Sequence, residues 1–119
     1  MRRFRHGAIA ALVISAATAA GVGSHTYASN LHATKQILAI VSQGSYVFSP
    51  VKTTVARGTK VVWLNKGPAP HTVTSRTRSW KYNKNFQQGQ KLSFVFTKAG
   101  TYHYVCTIHP GMVGTIVVK

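Results

Sequence analysis

From Lys35 onward the chain sets short apolar runs between turn residues, and no stretch repeats its apolar positions at helical spacing. The run KQILAIV alternates weakly. In SYVFSPVKTTVARGTKVVWLN, two strand segments are broken by Pro50 and by a turn at Arg57 and Gly58. Because successive side chains of a strand point to opposite faces, Val61 and Trp63 share one face and Val62 and Leu64 the other. HTVTS sends His71 and Val73 to one side and Thr72 and Thr74 to the other. KLSFVFT aligns Leu92, Phe94 and Phe96, AGTYHYVC aligns Tyr102, Tyr104 and Cys106, and GTIVVK closes the sequence. Six to eight short strands at this spacing predict an all-β fold, an antiparallel β-sandwich with no internal repeat.

Ahead of this region lies a different pattern. MRRFRH gives a positive start, Ala8 to Ala20 an apolar run, and TYAS small residues suited to cleavage after Ala28. Residues 1–28 therefore read as an export signal, 29–35 as a polar lead-in and 36–119 as the folded domain. The apolar run is shorter than the roughly 20 residues a membrane-spanning helix needs, so no stable insertion is expected once the signal is gone. Arg2 and Arg3 weakly suggest a twin-arginine route.

Composition changes the picture by what it omits. The 119 residues contain 15 Lys and Arg but no Asp or Glu. Apart from the chain terminus no internal salt bridge can form, so the apolar core and sheet hydrogen bonds must hold the fold against net repulsion. Carboxylate general bases, the aspartate of a Ser/His/Asp triad and the oxygen cages of calcium or magnesium are all missing. Most hydrolase and kinase chemistry is thereby excluded, and the chain is not expected to be an enzyme.

What remains is soft-ligand chemistry. CTIHPGM holds the sole cysteine, Cys106, with His109 and Met112 following at two-residue intervals. An unpaired cysteine in an oxidising compartment needs a reason to persist, and metal ligation is one. Cys106 ends a strand whose inward residues are Tyr102 and Tyr104, so its sulfur points between the sheets. His71 begins another inward-facing strand after the rigid PAP segment, and in a sandwich both places lie at one end. Two imidazoles, a thiolate and a thioether then converge as a trigonal set of two nitrogens and one sulfur with a second, weak sulfur on the axis. Such a set suits copper or zinc and disfavours calcium, magnesium and manganese. An inert buried thiol, a core histidine and a gap-filling methionine are the ordinary alternatives for these residues taken singly.

The run from FSP through VARGTKVVWLNKGPAPHTVTS to FVFTKAGTYHYVCTIHPGMVGTIVVK resembles the cupredoxins, the small blue copper proteins, and within them the plastocyanin and amicyanin group. The similarity spans about residues 36 to 119, and the Cys-x-x-His-x-x-Met spacing is similar to the short ligand loop of amicyanins. It implies a Greek-key sandwich binding one copper, cycling between Cu(I) and Cu(II). It also implies that His71, Cys106 and His109 make the strong equatorial bonds and Met112 the long axial one. Plastocyanin-like proteins commonly carry acidic residues where this chain has RTRSWKYNKN, so partner recognition does not carry over with the ligands.

Around the ligands, Thr72 is the candidate to tie the two ligand segments together, with Asn65 behind it. Tyr102 resembles a tyrosine corner, and its neighbour His103 is expected to face outward. His6, His25 and His32 are expected to be non-ligands. The implied function is that of a mobile monomeric one-electron carrier outside the cytoplasm, periplasmic or extracellular, exchanging electrons with redox proteins that dock near His109. Pro68, Ala69, Pro110 and Gly111 form the expected apolar rim. Arg76, Arg78, Lys81 and Lys84, interleaved with Trp80 and Tyr82, are a candidate for steering toward an anionic partner. Copper storage or delivery with the same four ligands is the alternative, while nucleic acid is not an expected partner. An acidic habitat or a strongly anionic partner would each account for the missing carboxylates.

Overall fold

The computed structural model describes residues 32–119, which fold as an all-β sandwich; the expected signal, with His6 and His25, lies outside the described residues. Nine strands follow in order: β1 Thr34–Ser42, β2 Ser45–Ser49, β3 Lys52–Val55, β4 Thr59–Asn65, β5 His71–Ser75, β6 Asn83–Phe86, β7 Lys91–Phe96, β8 Gly100–Val105 and β9 Val113–Val118. One sheet runs β2-β1-β4-β7 and the other β3-β9-β8-β5-β6. Most neighbours are antiparallel, as the alternation suggests. Each sheet also contains one parallel pair, β1 with β4 and β3 with β9, so both sheets are mixed. Alternation reports which face is buried and is blind to strand direction, so these pairs leave no mark in the hydropathy pattern. β1 starts at Thr34, which draws the last two residues of the expected lead-in into the sheet. His32 stands just before it, its Nδ1 3.0 Å from the Gly58 carbonyl.

The inward faces are those the alternation picks out. Ile37, Ala39, Phe48, Val61, Trp63 and Phe96 from the first sheet meet Val73, Phe86, Tyr104, Ile116 and Val118 from the second. Aromatic rings dominate the contact. Trp63 meets Tyr104 edge-on at 5.5 Å, and Phe48 meets Tyr104 at 4.8 Å. Such pairs add roughly 0.5–1.5 kcal/mol each beyond the area they bury. The tyrosine corner is present: Tyr102 donates its hydroxyl to the Lys98 carbonyl at 2.7 Å. His103 is exposed, as expected.

Trp80 departs from the sequence expectation. It lies between β5 and β6 among basic residues, yet only 3% of it is exposed, stacked on Trp63 at 6.2 Å with Phe96 at 5.1 Å. Tyr82 is half-buried beside it at 5.5 Å and donates its hydroxyl to the Ser93 carbonyl. The apolar area of an indole outweighs its surroundings in sequence, so neither ring is free to serve as a docking platform.

The Tyr104 ring lies across Gly114, its cross-strand partner, so closely that a Cβ at Gly114 would overlap the ring. Tyr104 is held on its other side by Phe48 and Trp63 and has nowhere to retreat. Gly114→Ala is therefore expected to destabilise the domain by about 1–3 kcal/mol, the cost of overpacking a filled core. Thermal unfolding of the copper-free protein checks this, and an unchanged melting temperature would contradict the packing described.

Candidate metal centre

The register that pairs Thr74 with Val105 lays the start of β5 beside the segment after β8. His71, first residue of β5, thus meets Cys106, the residue following β8. Residues 106–112 form a tight loop closed by the Cys106 N–H donating to the Met112 carbonyl at 2.9 Å, with the Met112 N–H reaching the His109 carbonyl at 3.2 Å. Gly111 takes a φ of 85° inside this loop, a left-handed conformation that glycine adopts without cost.

The result is a small triangle of donor atoms. His71 Nδ1 and His109 Nδ1 are 3.1 Å apart, and Cys106 Sγ lies 3.8 Å from the first and 3.6 Å from the second. A circle through three such points has a radius of about 2.0 Å, the length of a metal–imidazole bond and a little under a metal–thiolate bond. Two facing imidazole nitrogens at this distance can share at most one proton. A cation at the centre instead satisfies both nitrogen lone pairs and the thiolate together. His71 is fully buried, and burial, followed by the nearby His109, lowers its pKa from the ordinary 6.5. The shift favours the neutral ring, the form a ligand must take.

The surroundings hold this triangle from behind. The Thr72 N–H donates to Cys106 Sγ at 3.3 Å, and the Thr107 N–H donates to Thr72 Oγ1 at 2.9 Å. Thr72 therefore ties the two ligand segments together, the role expected of it. A hydroxyl chain continues from Thr72 Oγ1 to Thr74 Oγ1 and on to Asn83 Oδ1. Asn65 is fully buried and spans the turn before His71, donating from Nδ2 to the Ala69 and Phe86 carbonyls while Oδ1 accepts the Gly67 N–H. Met112 is buried at the end of the ligand loop. One residue at the site carries no signal in the sequence: Tyr46 of β2, whose ring packs against both imidazoles.

Residues 35–119 match the copper binding proteins of the plastocyanin/azurin family. The chain belongs to that family. Among curated relatives, this cupredoxin is 32% identical over 88 residues to a plastocyanin from Scenedesmus fuscus, an alignment covering 64% of this chain and 90% of the relative. It is 36% identical over 66 residues to an amicyanin from Paracoccus denitrificans, covering 52% of this chain and 50% of that one. A purple cupredoxin from Nitrosopumilus maritimus superposes with a TM-score of 0.62 at 29% identity, over 71% of this chain and 98% of that structure. A reduced amicyanin variant gives 0.60 at 30% identity, over 71% and 82%. Copper is the cofactor of this cupredoxin, and the donor triangle fits it: two imidazole nitrogens and a cysteine sulfur are donors that suit copper and not hard cations.

Proposed function

We propose that this cupredoxin is a mobile one-electron carrier and not an enzyme, with His71 Nδ1, Cys106 Sγ and His109 Nδ1 as strong ligands and Met112 as the weak axial one. The observation that carries this reading is the donor triangle. Its atoms stand at bonding radius from a common centre, and two of its three residues are buried. Bound copper would supply the change of oxidation state. The protein's part is to hold one geometry for both states, which keeps reorganisation small. The Thr72 and Thr107 bonds, the closed loop and the buried His71 all resist movement. Storage or delivery needs an easy exit for the metal, which this enclosure does not favour.

His109 is the half-exposed member of the triangle; Ile108, Pro110 and Gly111 beside it in the loop are exposed, as is Pro68 before β5, while Ala69 is partly buried. An apolar rim of this kind suits brief docking by a redox partner. Arg76, Arg78, Lys81 and Lys84 are all exposed on and around the β5–β6 connection, so they are available to steer an anionic partner in a salt-dependent way. The signal-like pattern of residues 1–28 supports export to the periplasm or beyond, and the lack of Asp and Glu supports work in an acidic setting.

The test is optical and electrochemical. Oxidation of the copper-loaded protein is expected to give an intense visible thiolate-to-copper band, blue or purple, with a reversible one-electron wave. Met112→Leu should keep the colour and raise the potential by on the order of 60 mV, a tenfold bias toward Cu(I) from losing a weak sulfur donor. A colourless protein that holds only Cu(I) and shows no reversible wave would refute the carrier reading.

A further inference from the structure

His71 and His109 are held by unequal means. His71 sits in a strand, fully buried, with Phe86 edge-on at 6.3 Å. His109 sits in an irregular loop and is half-exposed, and both polar contacts of its ring are to the other two donors of the triangle. Those contacts bind it to the site only while the site itself is intact. The Tyr46 ring supplies a further restraint. It lies 4.3 Å from the His109 ring at a tilt of 38°, and 5.1 Å from His71 at 66°. Tyr46 is set by a regular ladder, paired with Val41 across the β1–β2 hairpin, in the sheet opposite the one that carries His71 and bounds the His109 loop. It also walls an open hollow with Gly44, Ser45, Val47, His109, Pro110 and Gly111. A His109 ring that swung away from the triangle would have to leave this contact.

We infer that Tyr46 is a positioning residue for the metal centre: its tilted ring packs on His109 and keeps that imidazole aimed at the position the copper would take. This rests on the reading of His109 as a ligand. An aromatic contact of this kind is worth roughly a 2- to 13-fold bias in an equilibrium, so its loss should raise the released population of the ring by that factor. The contact is made by the ring and not by the phenol oxygen, so phenylalanine should serve as well.

The experiment loads the full chain and its Tyr46→Phe and Tyr46→Leu variants with Cu(I), follows the His109 ring signals by NMR, and records the midpoint potential of each. Wild type and Tyr46→Phe should show one coordinated His109 environment. Tyr46→Leu should show exchange broadening confined to His109 and a shifted potential. If Tyr46→Leu does not fold, Tyr46→Met, with similar reach and no ring, takes its place with the same expectation. Wild-type protein with His109 unbound to Cu(I) would overturn the ligand reading and this inference with it. Wild-type coordination with His109 exchange and potential unchanged in the leucine or methionine variant would overturn the inference alone, since packing by itself would alter only the melting temperature.

Discussion

Cys106→Ala is expected to abolish the intense visible absorption of the oxidised copper protein while leaving a folded sandwich. The thiolate is the donor of the charge-transfer band, and neither imidazole nor thioether can replace it. Cys106 is buried, but alanine just after β8 removes a single sulfur and leaves the Tyr102 and Tyr104 packing in place. The Thr72 N–H, which donates to Sγ at 3.3 Å, loses its acceptor, a cost of about 1–3 kcal/mol for a buried donor left unpaired. Copper affinity should fall sharply because two imidazoles remain where three strong donors stood. Absorption and metal content measured on the same sample check this. A variant as strongly coloured as the parent would end the case for a thiolate-bound copper.

Removing copper should lower the melting temperature by roughly 15–30 °C. A ligand that binds only the native state adds about 4 kcal/mol at a thousandfold excess over its dissociation constant, and in a domain of this size each kcal/mol is worth roughly 4–8 °C. The effect is tied to pH through His71. Its pKa is lowered in the folded state by burial and then by His109, so the unfolded chain binds more protons below the ordinary value of 6.5. The stability this residue contributes is therefore fully present above pH 6.5 and lost as pH falls toward the lowered value. In the copper form, protons also compete with the metal for both histidines. Below that window the sequence offers no side-chain carboxylate to titrate. Once His71 is protonated, the copper-free protein should thus show a melting temperature that stays nearly level as the pH falls further toward 2, where ordinary proteins fail. Calorimetry of both forms from pH 2 to 8 measures this. Equal melting temperatures for the two forms at neutral pH, or a steep fall of the copper-free form below pH 4, would contradict it.

Much of the site was legible because its signals are local. Cys106, His109 and Met112 lie within one loop, the turn residues of PAP mark the entry to His71, and period-two alternation places His71 and Cys106 on inward faces. Thr72 and Tyr102 could be read for the same reason, each standing at a fixed offset from a turn or ligand. What escaped depends on contacts between distant segments. Nothing beside Tyr46 in the sequence says that β2 will pass over His109, and nothing beside Trp80 says that Trp63 lies beneath it. β6, Asn83–Phe86, is nearly all polar and shows no alternation, yet its pairing with β5 makes it a strand. Alternation puts Thr72 and Thr74 on an outer face, but Thr107 and Asn83 cover them there, so β5 is buried on both sides over His71 to Thr74.

The pairings of β8 with β9, Val105 against Val113, and of β5 with β8, Thr74 against Val105, fix when the copper centre can come into being. β9 is an interior strand, flanked by β3 and β8, and the ligand loop is the link between β8 and β9. Until that strand docks, the Cys106–Met112 loop has only one anchored end, and the three donor atoms have no common centre. Chains dominated by pairings so far apart in sequence fold on timescales of about milliseconds to seconds, because distant segments must meet before either is rewarded. Metal capture is then a final act of folding. A newly made chain meets copper first as a mobile thiol, and becomes a selective binder only when its ninth strand has closed the sheet.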